Sequence, residues 1–122
     1  MTYLAISIGA ILGANARYLL GQWVAERLGS SFPFGTFVIN VTGSFVIGIV
    51  LVVSMDRVVP DWFRPLLAIG FLGAYTTFST FSYETLALVQ NGAWTWALVN
   101  VAASVVVGFG AVYTGTVVGR IF

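Results

Sequence analysis

Cysteine, histidine and lysine are all missing from this sequence of 122 residues. Without cysteine there is no disulfide framework and no thiolate chemistry. Without histidine, imidazole acid–base work goes, and with both absent so do the usual transition-metal sites. Charge is scarce as well. Charged residues make up 7% of the chain and hydrophobic ones 59%, whereas soluble domains carry roughly 25% charged residues. That is too little charge to cover a water-facing surface, and a lipid bilayer as solvent accounts for the deficit. The net charge is only +1 and no basic run could track phosphates, which argues against nucleic acid as a partner. No nucleophile–base pair or carboxylate dyad presents itself, so the sequence does not read as an enzyme.

What is present is apolar sequence punctuated by short polar clusters. A crossing of the hydrocarbon takes ~20 helical residues. The spacing predicts an all-α membrane protein of four transmembrane helices, at about residues 3–25, 33–54, 62–90 and 94–119. Together they form one four-helix transmembrane domain, with no room for a soluble domain of useful size. Pro33 suits the first turn of the second helix, and Asn91-Gly92 marks the last turn. All four tryptophans, Trp23, Trp62, Trp94 and Trp96, fall near predicted membrane ends, as an aromatic belt requires. Ala14-Asn15-Ala16 has the small-x-small look of a signal cleavage site. No basic residue precedes the apolar run, so the segment is expected to be retained. With a cytoplasmic N-terminus, Arg57, Arg64 and Arg120 would face Arg27 across the bilayer. So small a bias specifies orientation weakly, and both a single orientation and insertion both ways stay open.

Small and polar residues recur every four positions. Gly9, Gly13, Arg17 and Gly21 share a stripe, as do Thr36, Asn40, Gly43 and Ile47. The last helix carries two stripes, Asn100, Ser104 and Gly108, and Ala111, Gly115 and Gly119. Such stripes let helix backbones approach closely, within one bundle or across a dimer interface.

Ionisable and amide groups at membrane depth are functional hypotheses by default. Arg17 either snorkels to an interface or concentrates anions at a pore mouth. Glu84 shares a helical face with Thr77, Thr80 and Phe81. It is either a structural carboxylate bonded to a neighbouring helix or a functional one. Asn40 offers two N–H donors, which either staple helices or solvate a passing anion.

The densest signal lies in the third crossing, from Gly70 to Ser82. Two glycines and five serines or threonines occupy what should be its hydrophobic middle. A break near residues 73–80 is expected, because β-branched Thr76-Thr77 soon after glycine propagates a helix poorly. Unwound backbone at that depth must be buried in protein or line a cavity. Its carbonyls suit a hard monovalent cation, and its hydroxyl and N–H donors a small anion. Phe78 and Phe81, three apart, point the same way. They serve either as core filler or as positive ring edges that attract an anion weakly enough to release it.

Three runs then carry a resemblance: Gly9–Tyr18, Gly35–Phe45 and, most specific, Gly70–Glu84. Together they resemble the Fluc (CrcB) fluoride channel family over essentially the whole chain. A departure is Ala10, where the family often has a second glycine. The resemblance implies a passive fluoride-selective channel of the bacterial inner membrane that lets cytoplasmic fluoride escape and so protects against its toxicity. It further implies an antiparallel dual-topology homodimer with two pores. By the same resemblance Phe78 and Phe81 would be pore aromatics and Asn40 an anion donor. Thr80 and Ser104 would form a polar track, Arg17 would line the mouth, and Glu84 would lie near the far end of the pathway. A structural sodium ion at the dimer axis would be held by main-chain carbonyls of Gly73 and Thr76 from both chains. The alternative is a small multidrug-resistance-type proton-coupled exporter, which depends on a glutamate in its first helix. Here that helix has Arg17 at depth and Glu26 only at its end. A structural subunit of a larger membrane complex is a third possibility.

Overall fold

The computed structural model describes all 122 residues, and every regular element is helical. Helix α1 spans Thr2–Leu28 and α2 spans Phe34–Asp56. The third unit is split. Its first half, α3, is π-helical over Pro65–Leu72 and closes with an α-helical turn, Gly73–Tyr75; its second half is α4, Phe78–Gln90. Helix α5, Trp94–Ile121, completes the chain. Three of these, α1, α2 and α5, are individually long and apolar enough to cross a membrane. Neither α3 nor α4 reaches the ~20 residues a crossing needs, so these halves must act jointly.

Helix ends follow local chemistry. Past α1, Gly29 takes φ 82°, a left-handed conformation open to glycine, and its N–H bonds the Ala25 carbonyl. Pro33 stands one position before α2 rather than in its first turn, with φ −76° and ψ 62°. Pro65 opens the π-helical segment, where its missing N–H leaves no intrahelical bond unmade. The Asn91-Gly92 turn forms as expected, with Gly92 at φ 79° and the Ala93 N–H on the Leu88 carbonyl at 2.8 Å.

Glycine decides how the helices meet. A Cβ built on Gly9 or Gly13 would fall onto carbonyl oxygens of Leu66 or Phe71, so α1 lies backbone-to-backbone on α3. On the other side of the molecule, Gly48 of α2 and Gly115 of α5 are interlocked in the same way, Gly115 against the Phe45 carbonyl. These stripes therefore serve packing within the chain. Ile39, Val50, Leu72 and Tyr75 form the small apolar centre, where Leu72 is 2% exposed. Only 19 of the 122 residues are buried, and large apolar side chains such as Leu19, Val106, Phe109 and Tyr113 face outward. That inversion of the soluble pattern leaves the outer surface for lipid or a second chain.

Candidate functional site

The break in the third unit is two residues long. Thr76 (φ −80°, ψ 155°) and Thr77 (φ −150°, ψ 115°) are extended, while Gly73 is helical at φ −62°, ψ −36°. The expected interval of 73–80 is thus too wide. Glycine does not unwind here; the two β-branched residues do. Gly43 of α2 leaves the space that the Thr76 methyl occupies, since a Cβ there would overlap it.

Asn40 of α2 holds the gap. The Thr77 N–H donates to Asn40 Oδ1 at 2.9 Å, and Asn40 Nδ2 donates to the Thr77 carbonyl at 3.1 Å. One side-chain amide thereby replaces the helical partners of an unwound peptide at membrane depth. Asn40 is a staple, and one of its two Nδ2 hydrogens is left over. Thr77 then restarts the helix: its Oγ1 accepts the Thr80 N–H at 3.2 Å, a side-chain N-cap. Thr76 Oγ1 turns back to the Leu72 carbonyl at 2.9 Å. Because the Thr77 N–H is spent on Asn40, no backbone donor from residue 77 reaches the Gly73 carbonyl. The hydrogen bonds of the break give the Thr76 carbonyl no backbone donor either.

Two clefts flank this segment. The first, about 480 Å³, runs from the loop between α1 and α2 to the break and includes Arg17, Thr36, Thr77, Thr80 and Glu84. Arg17 is half-buried along its wall rather than extended past the helix end. Glu84 accepts a hydrogen bond from Thr36 Oγ1 of α2, the neighbouring-helix tie that one reading of this carboxylate anticipates. The second cleft, about 440 Å³, lies beside the middle of α2 and α5 and includes Asn40, Thr76, Phe78, Phe81 and Ser104. The Phe78 and Phe81 rings sit 5.7 Å apart at 41°, and Phe78 is 79% exposed in the single chain. Phe81 therefore opens on the second cleft, apart from Thr80 and Glu84, which open on the first. Thr77 borders both clefts.

The candidate residues thus divide. Arg17, Thr80 and Glu84 gather in one cleft, and Asn40, Phe78, Phe81 and Ser104 in the other. Gly73 and Thr76 stand at the α3 end of the break. Sequence reasoning missed Thr36 and Thr85 as partners, although Thr36 shares the stripe of Asn40. It also gave Asn100 only a packing role. Asn100 is 2% exposed and donates through Nδ2 to Thr85 Oγ1 at 2.9 Å, joining α5 to α4.

Comparison with known proteins decides the family. The sequence profile described as CrcB-like protein, Camphor Resistance (CrcB), matches residues 4–116. The chain belongs to the CrcB family. Among curated relatives of this CrcB chain, the fluoride-specific ion channel FluC of Acidobacterium capsulatum is 51% identical, over 98% of the chain and 97% of the relative. FluC of a Roseiflexus species is 46% identical over 99% and 98% of the two chains, and FluC of Solibacter usitatus 45% over 98% and 99%. With its apolar helices, the CrcB chain is a multi-pass bacterial membrane protein. The multidrug-exporter alternative is not favoured: in α1 the mid-helix charge is Arg17, and Glu26 is exposed near the end.

Proposed function

We propose that this chain is a fluoride-selective channel that lets cytoplasmic fluoride leave passively, protecting the cell from it. One juxtaposition carries the reading. Asn40, Ser104, Phe78 and Phe81 meet in a single cleft of a chain whose full-length relatives are named fluoride-specific ion channels. Fluoride is small and strongly hydrated, so a pore must replace several water hydrogen bonds together. In this cleft the spare Asn40 N–H, the Ser104 hydroxyl and the positive edges of two phenyl rings supply weak attraction without a full cation, and the Thr80 hydroxyl adds a donor in the first cleft. Arg17 raises the anion concentration at the mouth of the first cleft. Weak, successive attractions let the ion leave as readily as it arrives.

The finer reading is an antiparallel, dual-topology homodimer with a structural sodium ion at its axis. The carbonyls of Gly73 and Thr76 fit such an ion, being hard oxygen donors without backbone partners at the end of a half-helix. A Cβ on Gly73 would meet only the Ala68 carbonyl, at 3.8 Å, so nothing within the chain demands a glycine there. Close approach by an identical chain does. Bound sodium would supply a fixed positive charge that holds the two breaks together. The test is fluoride efflux from liposomes containing the purified chain, with chloride as control. Rapid loss of fluoride with chloride retained is expected; equal retention of both would overturn the reading.

A further inference from the structure

Helix α4 carries Phe78, Thr80, Phe81 and Glu84, all the side chains the pathway takes from the third crossing beyond the break. Yet α4 buries none of its residues, and among the helices it packs only on α2 and α5. Apolar packing within the chain therefore does little to set its rotation, and lipid supplies no hydrophobic drive to do so. Directed hydrogen bonds do. Asn40 holds Thr77 at the start of α4, and Thr36 holds Glu84; both ties belong to the clefts already described. The third tie lies outside both clefts. Asn100 Nδ2 donates to Thr85 Oγ1 at 2.9 Å, and the Thr85 hydroxyl donates in turn to the Phe81 carbonyl at 2.8 Å. This is the one side-chain hydrogen bond that joins α5 to α4.

We propose that Asn100, acting through Thr85, is a positioning residue for conduction. It fixes the rotation of α4 so that Phe81 opens on one cleft while Thr80 and Glu84 open on the other. The inference rests on the fluoride-channel reading for its consequence but not for its geometry. Thr85 and Phe81 are four apart, on one helical face, so a pull at Thr85 acts on the turn bearing Phe81. A buried amide with an oriented partner resists rotation more sharply than apolar contact, because leaving it unpaired in hydrocarbon is unfavourable.

Two measurements test this. In liposomes, Thr85→Val and Asn100→Leu should each lower fluoride efflux per folded molecule about tenfold, the scale of one buried hydrogen bond. The double variant should be no slower than either single one, since both remove the same bond. Thr85→Ser, which keeps the hydroxyl, should restore most of the rate. Thr85→Val keeps the shape of the native side chain, so it decides the matter if Asn100→Leu fails to fold. Wild-type flux in folded Thr85→Val, or losses that multiply in the double variant, would overturn the inference. The second measurement is independent of fluoride. The chain has no cysteine, so a Thr80→Cys reporter can be labelled alone with a water-soluble thiol reagent. Adding Thr85→Val should change its labelling rate several-fold, and an unchanged rate sinks the proposal even if the wild-type chain conducts nothing. A non-conducting wild type with altered labelling instead sinks only the channel reading.

Discussion

The side chain of Asn40 pairs with both backbone groups of Thr77, thirty-seven residues away, as a neighbouring peptide would. The third crossing can unwind at membrane depth because α2 supplies the hydrogen bonds that the helix gives up. Asn40→Leu should therefore leave two backbone groups unpaired in hydrocarbon and destabilise the fold by about 1–3 kcal/mol. Thermal unfolding in detergent reads the loss, and fluoride efflux should fall with it. An unchanged melting temperature would mean that the break holds itself.

Glycine positions separate into those the chain needs for its own packing and those it does not. A Cβ on Gly115 would strike the Phe45 carbonyl, whereas one on Gly110 meets nothing within 4 Å. Gly115→Ala should cost about 1–3 kcal/mol through overpacking, and Gly110→Ala should be neutral or slightly stabilising. Denaturation of the two variants side by side distinguishes them.

Gly73 tests the proposed dimer and its ion. The single chain has room for a side chain there, so Gly73→Val should fold but cross-link poorly to a second copy. Its fluoride efflux should fall about tenfold or more, the scale of a disrupted close helix contact. Replacing sodium by a bulky organic cation should reduce wild-type efflux as well. Full efflux without sodium would remove the ion from the proposal.

Phe78 and Phe81 face the second cleft together at 5.7 Å. Replacing either by isoleucine keeps apolar bulk and removes the ring quadrupole. Fluoride efflux should drop about fivefold, on the scale of ~1 kcal/mol for such ring contacts, with melting temperature nearly unchanged. Wild-type flux would return both rings to the role of filler.

Much of this was legible in the sequence because lipid imposes a simple rule: an apolar run of sufficient length becomes a helix. The ends of α1, α2 and α5 fall within a few residues of the expected ones. What escaped was whatever depended on a distant partner. The expected interval took in Gly73 along with Thr76-Thr77, yet Gly73 stays helical and only the two threonines unwind. The β-branched pair Thr76-Thr77 announces the unwinding, but no local pattern announces that Asn40 reaches Thr77 to hold it. The division of Thr80 from Phe81 between two clefts was hidden for the same reason: helical spacing places both near one face, but α2 and α5 decide what each meets. Asn100 looked like one member of a small-residue stripe, and only the position of Thr85 makes it a tie. Nor did the residues after Pro65 advertise their wider π-helical winding.

The glycine interlock between α2 and α5 also bears on how the protein is made. Helix α5 is made after α1 to α4, and its closest contacts with α2 reach Gly115 and Gly119. The α2–α5 seam therefore stays open until α5 has been made, while α1 and α3 can already close. A nascent chain arrested before Trp94 should show α1 docked on α3 by site-specific cross-linking, with α2 still exposed to chaperones and quality-control proteases.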